Sequence, residues 1–256
     1  MPKINKDSAL NITFVGIGLC LLCSAIISFI AIQLRSVQEN NVVLDMQKKI
    51  VSSAGLDEVY GSVENAMSNI KTLIIDLDRG EIVDINPDTY ELSKELREDG
   101  KYKFLSAEED VASIKKREKY SKVYIEYKDN EINTLILPVR GYGLWGILYG
   151  YLAIEGDFNT VAGLEFYEHK ETPGLGAEID NPKWKALWKG KKIYKDNKVN
   201  LAVIKGKVEA GDSESTYKID GLSGATITSR GVTNMVAYWF GESGYSSLLR
   251  ELDYES

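Results

Sequence analysis

Asp220-Gly221-Leu222-Ser223-Gly224-Ala225-Thr226-Ile227-Thr228 is the point where a small-residue loop runs into the last long helix pattern of the chain. Beyond it Val232, Met235, Val236, Trp239 and Phe240 fall at i, i+3, i+4, i+7 and i+8, which predicts an apolar stripe facing a core. Gly221 and Gly224 supply backbone without bulk, and Thr228 or Ser229 stands where a helix N-cap is expected. Thr226 is then next to a helix N-terminus, whose first amides have no helical partners and whose dipole favours an anion. No Gly-Lys-Ser/Thr follows, so the spacing is not that of a P-loop. On spacing alone an ordinary capped helix accounts for the stretch, with a phosphate cradle as the sharper alternative.

Upstream, strands and helices mix without a βαβ rhythm, which predicts an α+β fold. Leu73–Leu77 and Glu81–Ile85 flank Asp78-Arg79-Gly80, and Lys122–Tyr127 and Ile132–Val139 flank Asp129-Asn130; both read as hairpins. Leu144–Ile154 is almost wholly apolar and aromatic, as in a strand buried on both faces. Leu164–His169 is a further short strand, and Leu201–Lys205 another. Asn181-Pro182 opens a helix through Trp184, Leu187 and Trp188 that stops at Gly190. Residues 88–121 are mostly charged, with helical patches.

Ala9–Leu34 contains no charge and is long enough for a single transmembrane helix. A cleaved signal peptide would have a shorter apolar run and a small-x-small site, which Ile26–Ile32 does not offer. The division expected is therefore a short cytoplasmic tail over 1–8, a transmembrane helix over 9–34, a connecting helix over 35–56, and a folded α+β domain over 57–256. Lys3, Lys6, Arg35, Lys48 and Lys49 flank the span on both sides and leave orientation weakly determined by charge.

The chain of 256 residues carries a net charge of -7, which provides no general field for nucleic acid and argues against such a partner. Its two cysteines, Cys20 and Cys23, both fall in the apolar segment, and His169 is its one histidine. The soluble part therefore lacks the ligands for a thiolate, iron–sulfur or multi-histidine site of its own. Cys20-x-x-Cys23 at mid-membrane depth reads as packing thiols. Chemistry in this domain calls for an organic cofactor or plain side chains, and no metal site is expected.

Asp220-Gly221-Leu222-Ser223-Gly224-Ala225-Thr226 resembles the Asp-x-x-Ser/Thr-Gly-Ala-Thr motif of the bacterial FMN-binding domain family. There a flavin transferase moves FMN from FAD onto the final threonine as a phosphoester, a position matched by Thr226. His169-Lys170-Glu171-Thr172-Pro173-Gly174-Leu175-Gly176 resembles a second family segment, and Gly143-Leu144-Trp145-Gly146 a third. Thr172-Pro173-Gly174 also reads as a turn, with Pro at i+1 and Gly at i+2. The resemblance implies covalent FMN on Thr226, with Ser223, Gly224, Ala225, Thr228, Glu171, Thr172, Leu175, Gly176 and Trp145 bordering it. Lys205 and Lys207 are possible phosphate partners by charge, though solvated surface roles suit them as well.

One span, a long insert over 57–140 and an FMN-binding region near 140–245 make the layout similar to the C-subunit family of Na+-translocating NADH:quinone reductases. That likeness implies an electron carrier in the bacterial inner membrane with its domain on the periplasmic side. The partners implied are the other subunits of a membrane reductase complex and, during maturation, the flavin transferase. The G subunit of an Rnf-type electron-transport complex and a standalone extracytoplasmic flavin reductase are the alternatives.

Overall fold

The computed structural model describes residues 8–255. Most of the tail expected over 1–8, including Lys3 and Lys6, lies outside the described residues. The chain divides into two compact units between Met46 and Gln47.

The first unit is helical. Helix α1 spans Ala9–Ser53, so one helix holds both the apolar segment and most of the stretch read as a connector. Its most apolar window has a mean hydropathy of 2.6 and is exposed among the described residues. At about 1.5 Å per residue, Ala9–Leu34 reaches about 39 Å, more than the roughly 30 Å of a bilayer core. This one helix is long and apolar enough to cross a membrane.

The second unit is built on a six-stranded antiparallel sheet. Its strands are β1 (Ile70–Asp76), β2 (Ile82–Val83), β5 (Tyr120–Lys128), β6 (Glu131–Tyr142), β7 (Ile147–Glu155) and β8 (Val161–Glu168), in the order β2-β1-β5-β6-β7-β8. Both expected hairpins are present. The β5–β6 turn places Asp129 and Asn130 at φ of 55° and 69°, as a two-residue turn matching strand twist requires. The apolar run 144–154 becomes β7 only from Ile147, and Gly150 to Ile154 are buried on both faces.

What the sequence did not announce is a small hairpin inside the charged insert, β3 (Tyr102–Phe104) with β4 (Lys116–Glu118). Arg140 of β6 fastens it. The guanidinium donates to Glu118 Oε1 at 2.8 Å and to the Lys116 carbonyl at 2.9 Å, in a place where both charged side chains are buried. Burial opposes the charge on Arg140, yet the Glu118 carboxylate outweighs it and holds the guanidinium above its ordinary value.

Alternation along the strands sends side chains to two faces. Leu135, Leu137, Val139, Leu148, Leu152 and Phe166 meet Val232, Met235, Val236 and Trp239 of α6 (Thr226–Trp239), which packs along β6. Gly141 permits that approach, because a Cβ there would stand 2.7 Å from the Met235 Cβ. The predicted apolar stripe is thus the stripe that docks. On the opposite face lie Ile74, Tyr124, Ile136 and Tyr151, with Ile50 and Val51 from the last turn of α1 also buried. There Gly163 passes under the Ser53 carbonyl, and Lys49 pairs with Glu165 at 3.3 Å.

Short elements complete the unit. Helices α2 (Leu56–Tyr60) and α3 (Val63–Ser68) precede β1, α4 (Leu92–Glu95) lies in the insert, and α7 (Ser246–Glu255) follows α6. Asn181 caps α5 (Pro182–Lys185) by accepting from the Lys183 amide, and this helix ends well before Gly190. The strand expected over Leu201–Lys205 shrinks to β11 (Ala202–Val203), paired in parallel with β12 (Lys218–Ile219); β9 (Tyr194–Lys195) and β10 (Lys198–Val199) form a separate ribbon.

Candidate functional site

Helix α6 begins at Thr226, three or four residues earlier than an N-cap at Thr228 or Ser229 would put it. Both hydroxyls are otherwise engaged. The Ser229 hydroxyl accepts from the Leu222 amide at 3.1 Å, and the Thr228 hydroxyl donates to Glu171 Oε2 at 2.5 Å. Ala225 occupies the cap position and offers no side-chain acceptor. The first-turn amides of α6 are therefore left without a side-chain cap, with Thr226 exposed among them. Gly224, at φ +73°, makes the turn into the helix.

Glu171 gathers the three motif segments. Its Oε1 accepts from the amides of Leu144 at 2.9 Å and Trp145 at 3.0 Å, while Oε2 takes the Thr228 hydroxyl. The residue is 6% exposed. Two glycines make room for its carboxylate: a Cβ on Gly143 would lie 2.6 Å from Oε1, and one on Gly176 would collide with Oε2 and stand 2.7 Å from the Thr228 hydroxyl. Beside it, the Trp145 indole N–H donates to the Thr172 hydroxyl at 3.1 Å. The Thr172–Leu175 turn closes with Gly174 at φ +75°, as Pro173-Gly174 predicts. It sets Leu175 against Gly224, whose Cβ would stand 3.0 Å from Leu175 Cδ2.

These contacts turn apolar groups outward around Thr226. Trp145 is 62% exposed, Leu175 44% and Ile227 54%, three large side chains that a folded protein would otherwise bury. An exposed apolar patch beside an uncapped helix start suits a flat ring carrying a phosphate. On another side of Thr226 a cavity of about 260 Å³ is lined by Ile204, Lys205, Gly206, Leu222, Thr226 and Arg230, among others. Its shape comes from the loop after β11. The Gly221 amide donates to the Gly206 carbonyl at 2.7 Å, and Asp220 Oδ1 accepts from the Val208 amide at 2.9 Å.

Of the residues expected at the site, Thr226, Ser223, Gly224, Thr172, Leu175 and Trp145 are exposed. Ala225, Thr228, Glu171 and Gly176 lie beneath them, buried. Lys205 reaches the cavity lining and Lys207 does not. His169 turns towards Asp180, its Nε2 2.8 Å from the carboxylate, while Nδ1 accepts from the Glu171 amide at 3.2 Å. Sequence reasoning missed Arg230, although it stands one helical turn beyond Thr226 on the same face. Leu144 was also missed, because its part is played by a backbone amide, which no side-chain pattern reveals. No cluster of three or more metal-ligating side chains occurs among the described residues.

Comparison with known proteins matches residues 143–241 to the FMN-binding domain family. The chain is 45% identical over 255 residues to the C subunit of the Na+-translocating NADH-quinone reductase of Pseudomonas aeruginosa, covering 97% of each. This chain belongs to that C-subunit family. A relative of the same name from Vibrio anguillarum is 41% identical, over 97% of this chain and 96% of that one. The crystal structure of Shewanella oneidensis NqrC superposes with a TM-score of 0.72 at 30% identity, over 82% of this chain and 96% of that one. That of the corresponding C subunit from Parabacteroides distasonis gives 0.61 at 29% identity, over 84% and 96%. The likeness to these C-subunit structures includes the α+β domain, and the match to the FMN-binding family spans all three motif segments.

Proposed function

We propose that this protein is the FMN-carrying electron-transfer subunit of a Na+-translocating NADH:quinone reductase, with the flavin held through its phosphate on Thr226. The observation that carries this reading is the state of Thr226 itself. It is an exposed hydroxyl at an uncapped helix start, between an outward-facing apolar wall and a cavity lined by Lys205 and Arg230. Thr228, two residues on, is fully buried with its hydroxyl committed to Glu171, so the geometry favours Thr226 as acceptor.

The attachment is a group transfer. The Thr226 hydroxyl oxygen bonds to the FMN phosphorus of FAD, the bond to the AMP phosphate breaks, and AMP leaves. The hydroxyl proton passes to a base of the transferase, since threonine is a weak nucleophile that needs activation. The flavin supplies the electron-carrying chemistry; this chain supplies the tether, the apolar wall and the phosphate's positive surroundings. The enzyme activity belongs to the complex, and the isolated chain turns over no NADH.

The near-full-length agreement with C-subunit relatives, insert included, favours this reading over the G subunit of an Rnf-type complex or a standalone reductase. The apolar part of α1 is fit to anchor the chain, and we place the folded domain on the periplasmic side of the inner membrane. Intact-mass and peptide mass spectrometry of the protein made with a flavin transferase tests the assignment. The expected result is an addition of one FMN less one water on the peptide containing Thr226. An unmodified peptide, or FMN on Thr228, overturns it.

A further inference from the structure

Glu171 is a buried carboxylate at the centre of the site. No lysine, arginine or histidine side chain is paired with it among the described residues, and its three partners are two amides and a hydroxyl. The nearby histidine is turned away, with its Nε2 on Asp180 and its Nδ1 accepting from an amide. Hydrogen bonds to amides and a hydroxyl stabilise a carboxylate's charge without cancelling it, so its field persists in the low-dielectric surroundings.

The carboxylate is fixed to both sides of the candidate flavin site. One oxygen holds the backbone of Trp145, whose ring forms the exposed wall; the other holds Thr228, two residues from the attachment point. Gly143 and Gly176 leave no slack around it, because any side chain at either position would strike the carboxylate. Oε1 is filled by two amides and Oε2 is turned to the buried Thr228, so the carboxylate is held under the surface of the site. Its position is rigid, and no basic side chain pairs with its charge among the described residues.

We propose that Glu171 is a positioning residue that lowers the reduction potential of the flavin by holding one negative charge, paired with no basic side chain, beneath the Trp145 wall and the Thr226 attachment point. This rests on the attachment to Thr226 proposed above. Adding electrons to a group near a buried anion is disfavoured, and charge close to a flavin is one of the means by which a protein sets its potential. A purely structural clamp would need the hydrogen bonds but not the charge.

The two roles separate experimentally. Glu171→Gln keeps the shape and a carbonyl for the two amides; the charge is lost, and the bond to Thr228 reverses, with the amide donating to the hydroxyl. Thr228→Val keeps the charge and removes one of the donors that moderate it. Each full-length variant is produced with the flavin transferase in parallel with wild type. Flavin content is read by mass and in-gel fluorescence, and the midpoint potential by spectroelectrochemical titration of the covalent flavin. The expected result is an upward shift for Glu171→Gln and a downward shift for Thr228→Val. If Glu171→Gln does not accumulate as folded protein, the Thr228→Val shift decides. Unmoved potentials, or shifts of the same sign in both variants, overturn the proposal. Absence of covalent flavin from the wild type would instead defeat the attachment on which it rests.

Discussion

Thr226→Ala and Thr228→Ala are predicted to fail in opposite ways, although the residues stand two positions apart in one helical turn. Thr226 is exposed, so its replacement removes the acceptor hydroxyl and little else, with an effect on stability of about ±0.5 kcal/mol. Thr228 is 0% exposed and donates to a buried carboxylate at 2.5 Å. Losing a hydrogen bond to a charged group costs about 1.5–3 kcal/mol. For a domain of roughly 200 residues each kcal/mol lowers the melting temperature by about 2–4 °C, so Thr228→Ala should melt roughly 3–12 °C lower. Covalent flavin should vanish in Thr226→Ala and persist in Thr228→Ala. The assays are in-gel flavin fluorescence and thermal unfolding of each purified full-length variant, produced without the transferase for the melting comparison so that flavin binding does not contribute. A Thr228→Ala protein that melts like wild type, or a Thr226→Ala protein that retains covalent flavin, would refute the reasoning.

Replacing both Lys205 and Arg230 by Gln should slow flavin loading from FAD and weaken its dependence on ionic strength, since both line the cavity beside Thr226; equal loading time courses would remove them from the site. Glu118→Ala should destabilise the domain by about 3–5 kcal/mol in urea unfolding, because it strands the buried Arg140 guanidinium. Burial pushes the Tyr124 phenol up to about 12 and raises those of Tyr151 and Tyr245 well above their ordinary value. The folded state then keeps protons that the unfolded chain releases from about pH 10 upward, so stability is unaffected below pH 10 and falls as pH rises beyond it. Absorbance titration at 295 nm alongside circular dichroism should show these phenols ionising only as the fold is lost. Deleting residues 1–34 should yield a folded soluble domain, whereas deletion through Ser53 also removes buried Ile50 and Val51, each contributing about 1.5–3 kcal/mol, and should unfold more readily in sedimentation and melting assays.

Local patterns carried much of this molecule. The uncharged run from Ala9, the two hairpins, the stripe on α6 and the Pro173-Gly174 turn depend on residue type at short spacing, and all are found in the structure. The residues that resemble the flavin motifs needed no fold to be noticed. Long-range contacts decided the rest. A pattern cannot say that Thr228 and Ser229 will spend their hydroxyls on Glu171 and Leu222, so it places the N-cap there and starts the helix three or four residues late. Nor can it tell whether Glu171 lies on the exposed face of the site or is buried beneath it. The same limit hid the β3–β4 hairpin, which rests on Arg140 far along the chain, and the cavity that puts Arg230 beside Thr226. The sequence by itself determined which residues could form a helix, a turn or a phosphate-bearing hydroxyl, because those depend on neighbours along the chain. Only the tertiary structure decided which hydroxyl stays free and where the unpaired charge lies, because burial and hydrogen-bond partners come from segments 57 residues apart, as Glu171 and Thr228 are.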